Sequence, residues 1–281
     1  MRIALVQPSD SPCDVTRNLA FGLTSLQTAA DEGTDLVLFP ELFLSGYYLT
    51  PGMQGCAAAA SRALSRLQAA VDQSGVAAVV GLPVLDGDLL FNAVAVLRPD
   101  LPEEVYAKTH LFRGEKKWFT PGARFWTGEI AGWPCGIVVC YELGFPEISR
   151  CLALAGARLL LALAAFGRSR GDVWRASTEA RALENSCYLA ACGQAGSNGS
   201  IEFLGESRVL DPFGAVLATA GAGEALLVVD LDGAVVDDAR AGARGGHTYF
   251  IDRRPELYGP LADGTLTLRG DPTGEQSGPD A

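Results

Sequence analysis

Three polar residues each stand directly after an apolar run, and their types could do chemistry together. Glu41 follows Leu36-Val37-Leu38-Phe39-Pro40, Lys108 follows Val105-Tyr106-Ala107, and Cys140 follows Gly136-Ile137-Val138-Val139. A thiol becomes a nucleophile when a base or a nearby cation favours the thiolate. A carboxylate can be that base once burial beside like charge raises its pKa. An ammonium then stabilises the anion that forms when a carbonyl carbon is attacked. The same carboxyl, now protonated, can return its proton to departing ammonia or amine. Glu115, a short loop beyond Lys108, supplies a second carboxylate to orient the lysine and the substrate. Taken singly, Cys140 reads as a packed hydrophobe, Glu41 as a loop cap and Lys108 as a solvated strand end. Their shared context argues for a site.

What the chain lacks narrows the chemistry further. It holds two histidines, His110 and His247, and no GxSxG, HExxH or P-loop pattern. A zinc centre built on histidines is nearly excluded, and a Ser-His-Asp enzyme would have to use one of these two. Seven cysteines (Cys13, Cys56, Cys135, Cys140, Cys151, Cys187, Cys192) include no CxxC pair, so neither a zinc ribbon nor a thioredoxin-type site is supported. Cys135 and Cys140 point to opposite faces of one strand, which argues against a disulfide between them. The net charge of −11 and the pI of about 4.7 offer no basic face to a polyanion, so no nucleic-acid partner is expected. The longest uncharged apolar run, Leu159 to Phe166, is far too short to span a membrane. The chain opens on strand-like residues with no leader pattern, and a cytoplasmic protein is the expectation.

The elements that must position these residues alternate between strand and helix. Ile3 to Gln7 is a strand, and Asp14 caps a helix with Leu19, Leu23, Leu26 and Ala30 on its apolar face, ended by Gly33. Leu36 to Phe39 reads as a strand buried on both faces. A second helix carries Leu64, Leu67 and Val71 and ends at Gly75, before a strand at Val76 to Val80. Asp86-Gly87 is a hairpin signal, with Phe91 to Leu97 and Val105 to Lys108 following as strands. After a loop rich in Gly, Pro and Trp, Gly136 to Cys140 forms a strand that feeds a helix starting near Pro146. Leu159 to Leu163 and Tyr188 to Cys192 are strands around a helix from Trp174 to Asn185. Ser207 to Leu210 and Ala225 to Val229 are later strands joined by the Asp211-Pro212-Phe213-Gly214 turn. Two sheets packed face to face with helices outside follow: an α/β, four-layer α-β-β-α sandwich in one domain over 1–262. Residues 263–281 form a polar tail without periodicity, expected to be an interface arm or disordered.

The residues around the three polar positions form longer motifs. Phe39-Pro40-Glu41, Lys108-Thr109-His110-Leu111-Phe112 with Glu115 and Thr120-Pro121-Gly122, and Cys140-Tyr141-Glu142-Leu143-Gly144-Phe145-Pro146-Glu147 resemble motifs of the nitrilase superfamily of carbon–nitrogen hydrolases. Arg181-Ala182-Leu183-Glu184-Asn185, Gly205-Glu206-Ser207 with Asp211-Pro212-Phe213-Gly214, and Arg253-Arg254-Pro255-Glu256-Leu257-Tyr258 extend the likeness to about Tyr258. The resemblance implies the same sandwich, paired as a homodimer or higher homo-oligomer. It implies Glu41, Lys108 and Cys140 as catalytic residues, Glu115 as the second glutamate, and a thioester intermediate. The oxyanion would be held by Lys108 and the backbone N–H of Tyr141, and no metal or organic cofactor is implied. Two departures stand out. Glu142 replaces the usual Asp, and Gly144 stands where an arginine is common. Leu143 and Gly144 cannot grip a carboxylate, which weighs against an N-carbamoyl amino acid as substrate, unless Arg113, Arg168, Arg170 or Arg175 supplies a clamp.

Candidates for contact with substrate are Tyr47, Tyr48, Trp118, Glu142, Phe166 and Arg168. Trp118, Phe119, Trp126 and Trp133 read equally well as a pocket wall or as core. The leading expectation is hydrolysis of an amide to acid and ammonia or amine. A nitrilase or N-carbamoyl hydrolase would use the same residues. A Cys-His acyltransferase using His110 or His247, and a catalytically inactive member kept as a binding protein, are the remoter alternatives.

Overall fold

In the central strands of this chain successive residues face different layers. In the computed structural model, which describes residues 1–9, 13–243 and 248–263, β1 (Arg2–Gln7) sends Ile3 and Leu5 toward the opposing sheet. Its Ala4 and Val6 face the helices instead. The helix α1 (Val15–Asp31) begins where the Asp14 side chain accepts the Arg17 N–H, and β2 (Leu36–Leu38) runs parallel to β1. The helix α2 (Met53–Ser74) ends at Gly75, whose φ of +73° is the left-handed cap expected there. It leads into β3 (Ala77–Asp86), parallel to β2, and the Gly87 turn folds β4 (Leu89–Leu97) back on it. β5 (Glu104–Ala107) completes this side.

The second half repeats the plan. β6 (Thr127–Ile130) and β7 (Trp133–Val139) form a hairpin, α3 (Pro146–Leu154) leads to β8 (Leu159–Ala164), and α4 (Gly171–Asn185) to β9 (Tyr188–Gly193). β7, β8 and β9 are parallel, then β10 (Arg208–Leu210) and β11 (Val216–Thr219) turn back antiparallel. β12 (Ala225–Asp230) crosses over and pairs antiparallel with β1. The two six-stranded sheets have the orders β12-β1-β2-β3-β4-β5 and β11-β10-β9-β8-β7-β6. Helices α1 and α2 pack on the first sheet, α3 and α4 on the second, giving the expected four layers. The sheets meet at β1 and β9, where the Cys192 thiol donates to Val6 O at 3.0 Å and Leu38 O at 3.3 Å.

Three expectations need correction. The stretch expected as loop holds the β6–β7 hairpin, whose two-residue turn puts Ala131 (φ +48°) and Gly132 (φ +76°) in the left-handed region; Ala at the first of these positions is a weaker signal than the usual Asn or Asp. The Asp211 turn joins β10 to β11, not to the strand at Ala225; Asp211 Oδ1 accepts the N–H of both Phe213 and Ala215 at 2.9 Å. A helix α5 (Gly233–Arg240), capped by Asp232, follows β12 and was not expected. His247 and the tail from 264 onward lie outside the described residues.

Candidate active site

Two of the three strand ends leave their sheet at a point where a side chain would be in the way, and the third turns on a strained residue. An added Cβ on Gly81 would lie 2.3 Å from Pro40 O and 2.8 Å from Glu41 Cα, so a residue without a side chain is what lets the Glu41 turn press onto β3. On Gly122 it would lie 2.0 Å from Ala107 O, beside the strand end that delivers Lys108. Gly122 N–H bonds Lys108 O at 2.8 Å, and Lys108 N–H bonds Asn92 O at 2.8 Å. Cys140 opens the turn after β7 with φ +50°, a conformation uncommon for a residue with a side chain and characteristic of strained functional positions.

The turns converge. Lys108 Nζ donates to Glu41 Oε1 at 2.6 Å and to Glu115 Oε1 at 2.9 Å, and all three side chains are shut off from solvent. Asn92 Nδ2 also donates to Glu41 Oε1 at 2.8 Å, while the Ala165 N–H reaches Glu41 Oε2 at 3.1 Å. Glu115 Oε1 accepts from the Tyr47 hydroxyl at 2.8 Å and Oε2 from the Phe112 N–H at 2.8 Å. Burial would lower the Lys108 pKa, but Glu41, Glu115 and the Cys140 sulfur raise it above its ordinary value, so the ammonium is retained. Burial raises the Glu115 carboxyl, with Lys108 opposing and Glu41 adding to the rise. Burial also pushes the Cys140 thiol well above its usual range, reinforced by Glu41 and opposed by Lys108. At rest the sulfur is a thiol, enclosed with a base and a cation.

Glu142 is not where a substrate contact should be. Its Oε1 accepts from Tyr106 OH (2.8 Å), Thr109 N (2.7 Å) and Thr109 Oγ1 (2.7 Å), and its Oε2 from Val139 N (2.8 Å). This fully buried carboxylate ties the Lys108 loop of one sheet to the Cys140 turn of the other. Arg181 Nε holds the same turn through Leu143 O at 3.0 Å. The reason is valence: the oxygens are occupied by five protein donors, the fifth being the His110 N–H on Oε1 at 3.3 Å.

The other candidates divide. Tyr47 is buried against Glu115, whereas Tyr48 is 37% exposed. Phe166 is buried on Trp174, with ring centroids 5.1 Å apart, immediately after Ala165. Arg168 is engaged outside the centre by Glu202 at 2.8 Å. Trp118 is half-buried against the α1–α2 side core. Trp126 belongs to the core between the sheets, its indole N–H on Glu104 at 2.8 Å, and Trp133 packs edge-on to Tyr188; the tryptophans do not form one wall. The His110 ring packs tilted against Phe145, centroids 4.3 Å apart, and pairs with the Thr109 hydroxyl at 2.8 Å. A hollow of about 380 Å³ beside the centre is bounded by Thr109, His110, Lys116, Phe119, Tyr141 and Phe145, but not by Glu41, Lys108 or Cys140. Among the described residues no cluster of three His, Cys, Asp or Glu side chains is arranged to hold a metal ion. Sequence reasoning missed Asn92, whose signal was an amide within the apolar run Leu89–Leu97, and the Ala165 N–H, which has no side-chain signal.

The profile of the carbon-nitrogen hydrolase family matches residues 2–241, and the chain belongs to that family. It is 35% identical to an (R)-stereoselective amidase from Pseudomonas sp. over 92% of this chain and 93% of that one. It is 31% identical to the 2-oxoglutaramate amidase of Bacillus subtilis, covering 80% of this chain and 86% of that one. Among solved structures, a mutant of the amidase from Nesterenkonia sp. AN1 aligns with a TM-score of 0.80 and 31% identity over 92% of this chain and 95% of that one. In that mutant the acetamide moiety of fluoroacetamide is covalently added at the active-site cysteine.

Proposed function

We propose that the protein hydrolyses amides through a thioester on Cys140. The observation that carries this is the enclosed Glu41–Lys108–Glu115 arrangement, 2.6 and 2.9 Å across its two ion pairs, next to a protonated buried thiol. Glu41 accepts the thiol proton as sulfur attacks the amide carbon, so no free thiolate has to persist in the buried site. Lys108 and the backbone N–H of Tyr141 bind the oxyanion. Collapse of that intermediate breaks the C–N bond, and Glu41 gives its proton to the departing ammonia or amine. Water, deprotonated by Glu41, then cleaves the thioester to release the acid and restore the thiol. Glu115 holds Lys108 in place, and Tyr47 holds Glu115. The amidases among the relatives, and the cysteine adduct in the Nesterenkonia amidase, support the amide over the nitrile and N-carbamoyl alternatives.

Exposed Leu154, Ile251, Leu257 and Leu261 support a homodimer or higher homo-oligomer. Seven free cysteines support a reducing compartment, the cytoplasm. The test is ammonia release from a panel of amides, nitriles and N-carbamoyl compounds by wild type and Cys140→Ala. Amide turnover abolished in the variant supports the reading; faster turnover of nitriles than of matching amides overturns it.

A further inference from the structure

Asn92 is an amide inside the apolar strand β4, and it is 1% exposed. Its side chain is not there to satisfy itself. Nδ2 donates to Glu41 Oε1 at 2.8 Å, while Oδ1 is buried with no hydrogen-bond partner among the described residues. An orphaned buried acceptor costs free energy, and a branched apolar residue would suit this strand without that cost. The backbone carbonyl of the same residue accepts the Lys108 N–H at 2.8 Å. Asn92 therefore holds both members of the buried ion pair, one by its main chain and the other by its side chain.

The donors to Glu41 divide between its two oxygens by sheet. Oε1 takes Lys108 Nζ at 2.6 Å and Asn92 Nδ2 at 2.8 Å, from the end of β5 and from β4 in the first sheet. Oε2 takes the Ala165 N–H at 3.1 Å, from the residue after β8 in the second sheet. β7 and β8 pair in parallel with Val139 opposite Leu163, so Cys140 leaves its strand beside Ala164 and Ala165. The Ala165 N–H acts as a donor toward the Cys140 sulfur as well. Oε2 is thus the oxygen on the thiol's side. A proton arriving on Oε1 would have to displace one of two short bonds, one of them to an ammonium, whereas Oε2 holds a single longer one.

We propose that Asn92 is a positioning residue for the reaction: together with Lys108 it pins Glu41 Oε1 and so presents Oε2 to Cys140 as the oxygen that takes the thiol proton and later returns it. This rests on the amidase reading of Cys140 and deepens it. The proton leaves sulfur as the S–C bond forms, stays on Oε2 while the oxyanion exists, and goes to the nitrogen as the C–N bond breaks. In the second half water gives its proton to Oε2 as it attacks the thioester, and the departing sulfur takes it back. Without the Asn92 amide only Lys108 holds Oε1, the carboxylate is free to turn, and the base spends less time aimed at the thiol.

The experiment measures ammonia release from butyramide by wild type, Asn92→Ala and Asn92→Asp between about pH 5.5 and pH 9. Asn92→Ala removes the donor together with the orphaned acceptor. Its kcat per folded molecule is expected to fall roughly tenfold to hundredfold, the size of one hydrogen bond to a charged group, with KM within about threefold of wild type. Asn92→Asp keeps the shape but donates to Oε1 only while the new carboxyl carries a proton, so its advantage over Asn92→Ala should shrink as pH rises. Lys108, Glu115, Tyr47 and Cys140, the other titratable groups around Glu41, are common to both variants, and their titration cancels in that ratio. A kcat in Asn92→Ala within about twofold of wild type, or a ratio of the two variants that does not change with pH, overturns the proposal. If wild type releases no ammonia, the amidase reading fails separately, and alkylation of Cys140 by iodoacetamide, followed by peptide mass, decides the role of Asn92, since it needs the thiol and its base but no turnover. Alkylation slowed about tenfold in Asn92→Ala supports that role; equal rates overturn it.

Discussion

Lys108 Nζ sits 2.6 Å from Glu41 Oε1, with both side chains fully removed from water. A buried pair at that separation is held by what surrounds it: Glu115 satisfies a second ammonium proton, and Asn92 and the Ala165 N–H satisfy the carboxylate. Removing one partner leaves the other charge uncompensated, which shapes how this site answers to mutation.

Glu41→Gln keeps the shape and removes the base. Amide kcat is expected to fall by roughly 10²–10⁴-fold, the usual contribution of a positioned general base. Because Glu115 still neutralises Lys108, the protein should remain folded by circular dichroism. Retention of more than a tenth of the wild-type kcat would remove Glu41 from the proposed role.

Glu142→Gln tests the tie between the two sheets. With the amide oxygen at the Oε1 position, its NH2 group would face the Val139 N–H, donor against donor. A loss of about 1–3 kcal/mol is expected for such an unmatched buried group. Urea midpoints measure it. Activity should fall with it, since the same carboxylate carries the Thr109 and Val139 amides that flank Lys108 and Cys140. Full stability together with full activity would show that the tie is dispensable.

Two glycines give contrasting outcomes. Gly81→Ala forces backbone against backbone at the Glu41 turn and is expected to cost about 1–3 kcal/mol, with a further loss of turnover. Gly144→Ala meets nothing within 4 Å and is expected to stay within about 0.5 kcal/mol of wild type. Thermal melts of the two variants side by side check the contrast; equal effects would contradict the close packing at Gly81.

Alkaline pH should destabilise the fold. Burial pushes the Cys135 thiol up to about 12 and raises those of Cys140, Cys187 and Cys192 as well. Below the unfolded thiol pKa of about 8.5, both states keep these protons and the stability is complete. Above it the unfolded chain releases protons that the folded chain retains. Stability then falls by up to about 1.4 kcal/mol per pH unit for each thiol until the folded pKa is passed. Urea midpoints at pH 7.5 and pH 10 in the presence of reductant should show the drop. An unchanged midpoint would mean that these thiols ionise inside the fold.

The order of strands and helices was legible because each element announces itself locally. The apolar runs that end at Phe39 and Val139, the Asp14 cap, and the glycines that end α1 and α2 all act within a few residues. The same is true of the positions of Glu41, Lys108 and Cys140 just beyond strand ends. Their meeting was not local. It depends on β2 and β5 lying in one sheet and β7 in the other, which no run of residues specifies. Glu142 reads as a pocket residue in the chain, and only the packing of Tyr106 and Thr109 against it makes it a structural tie. Arg168 and Arg170 are indistinguishable in sequence; the tertiary structure gives one a carboxylate and leaves the other on two aromatic rings. Short-range propensities decide what each segment becomes, whereas the partners of a charge are decided by which segments the folded chain brings within hydrogen-bonding distance.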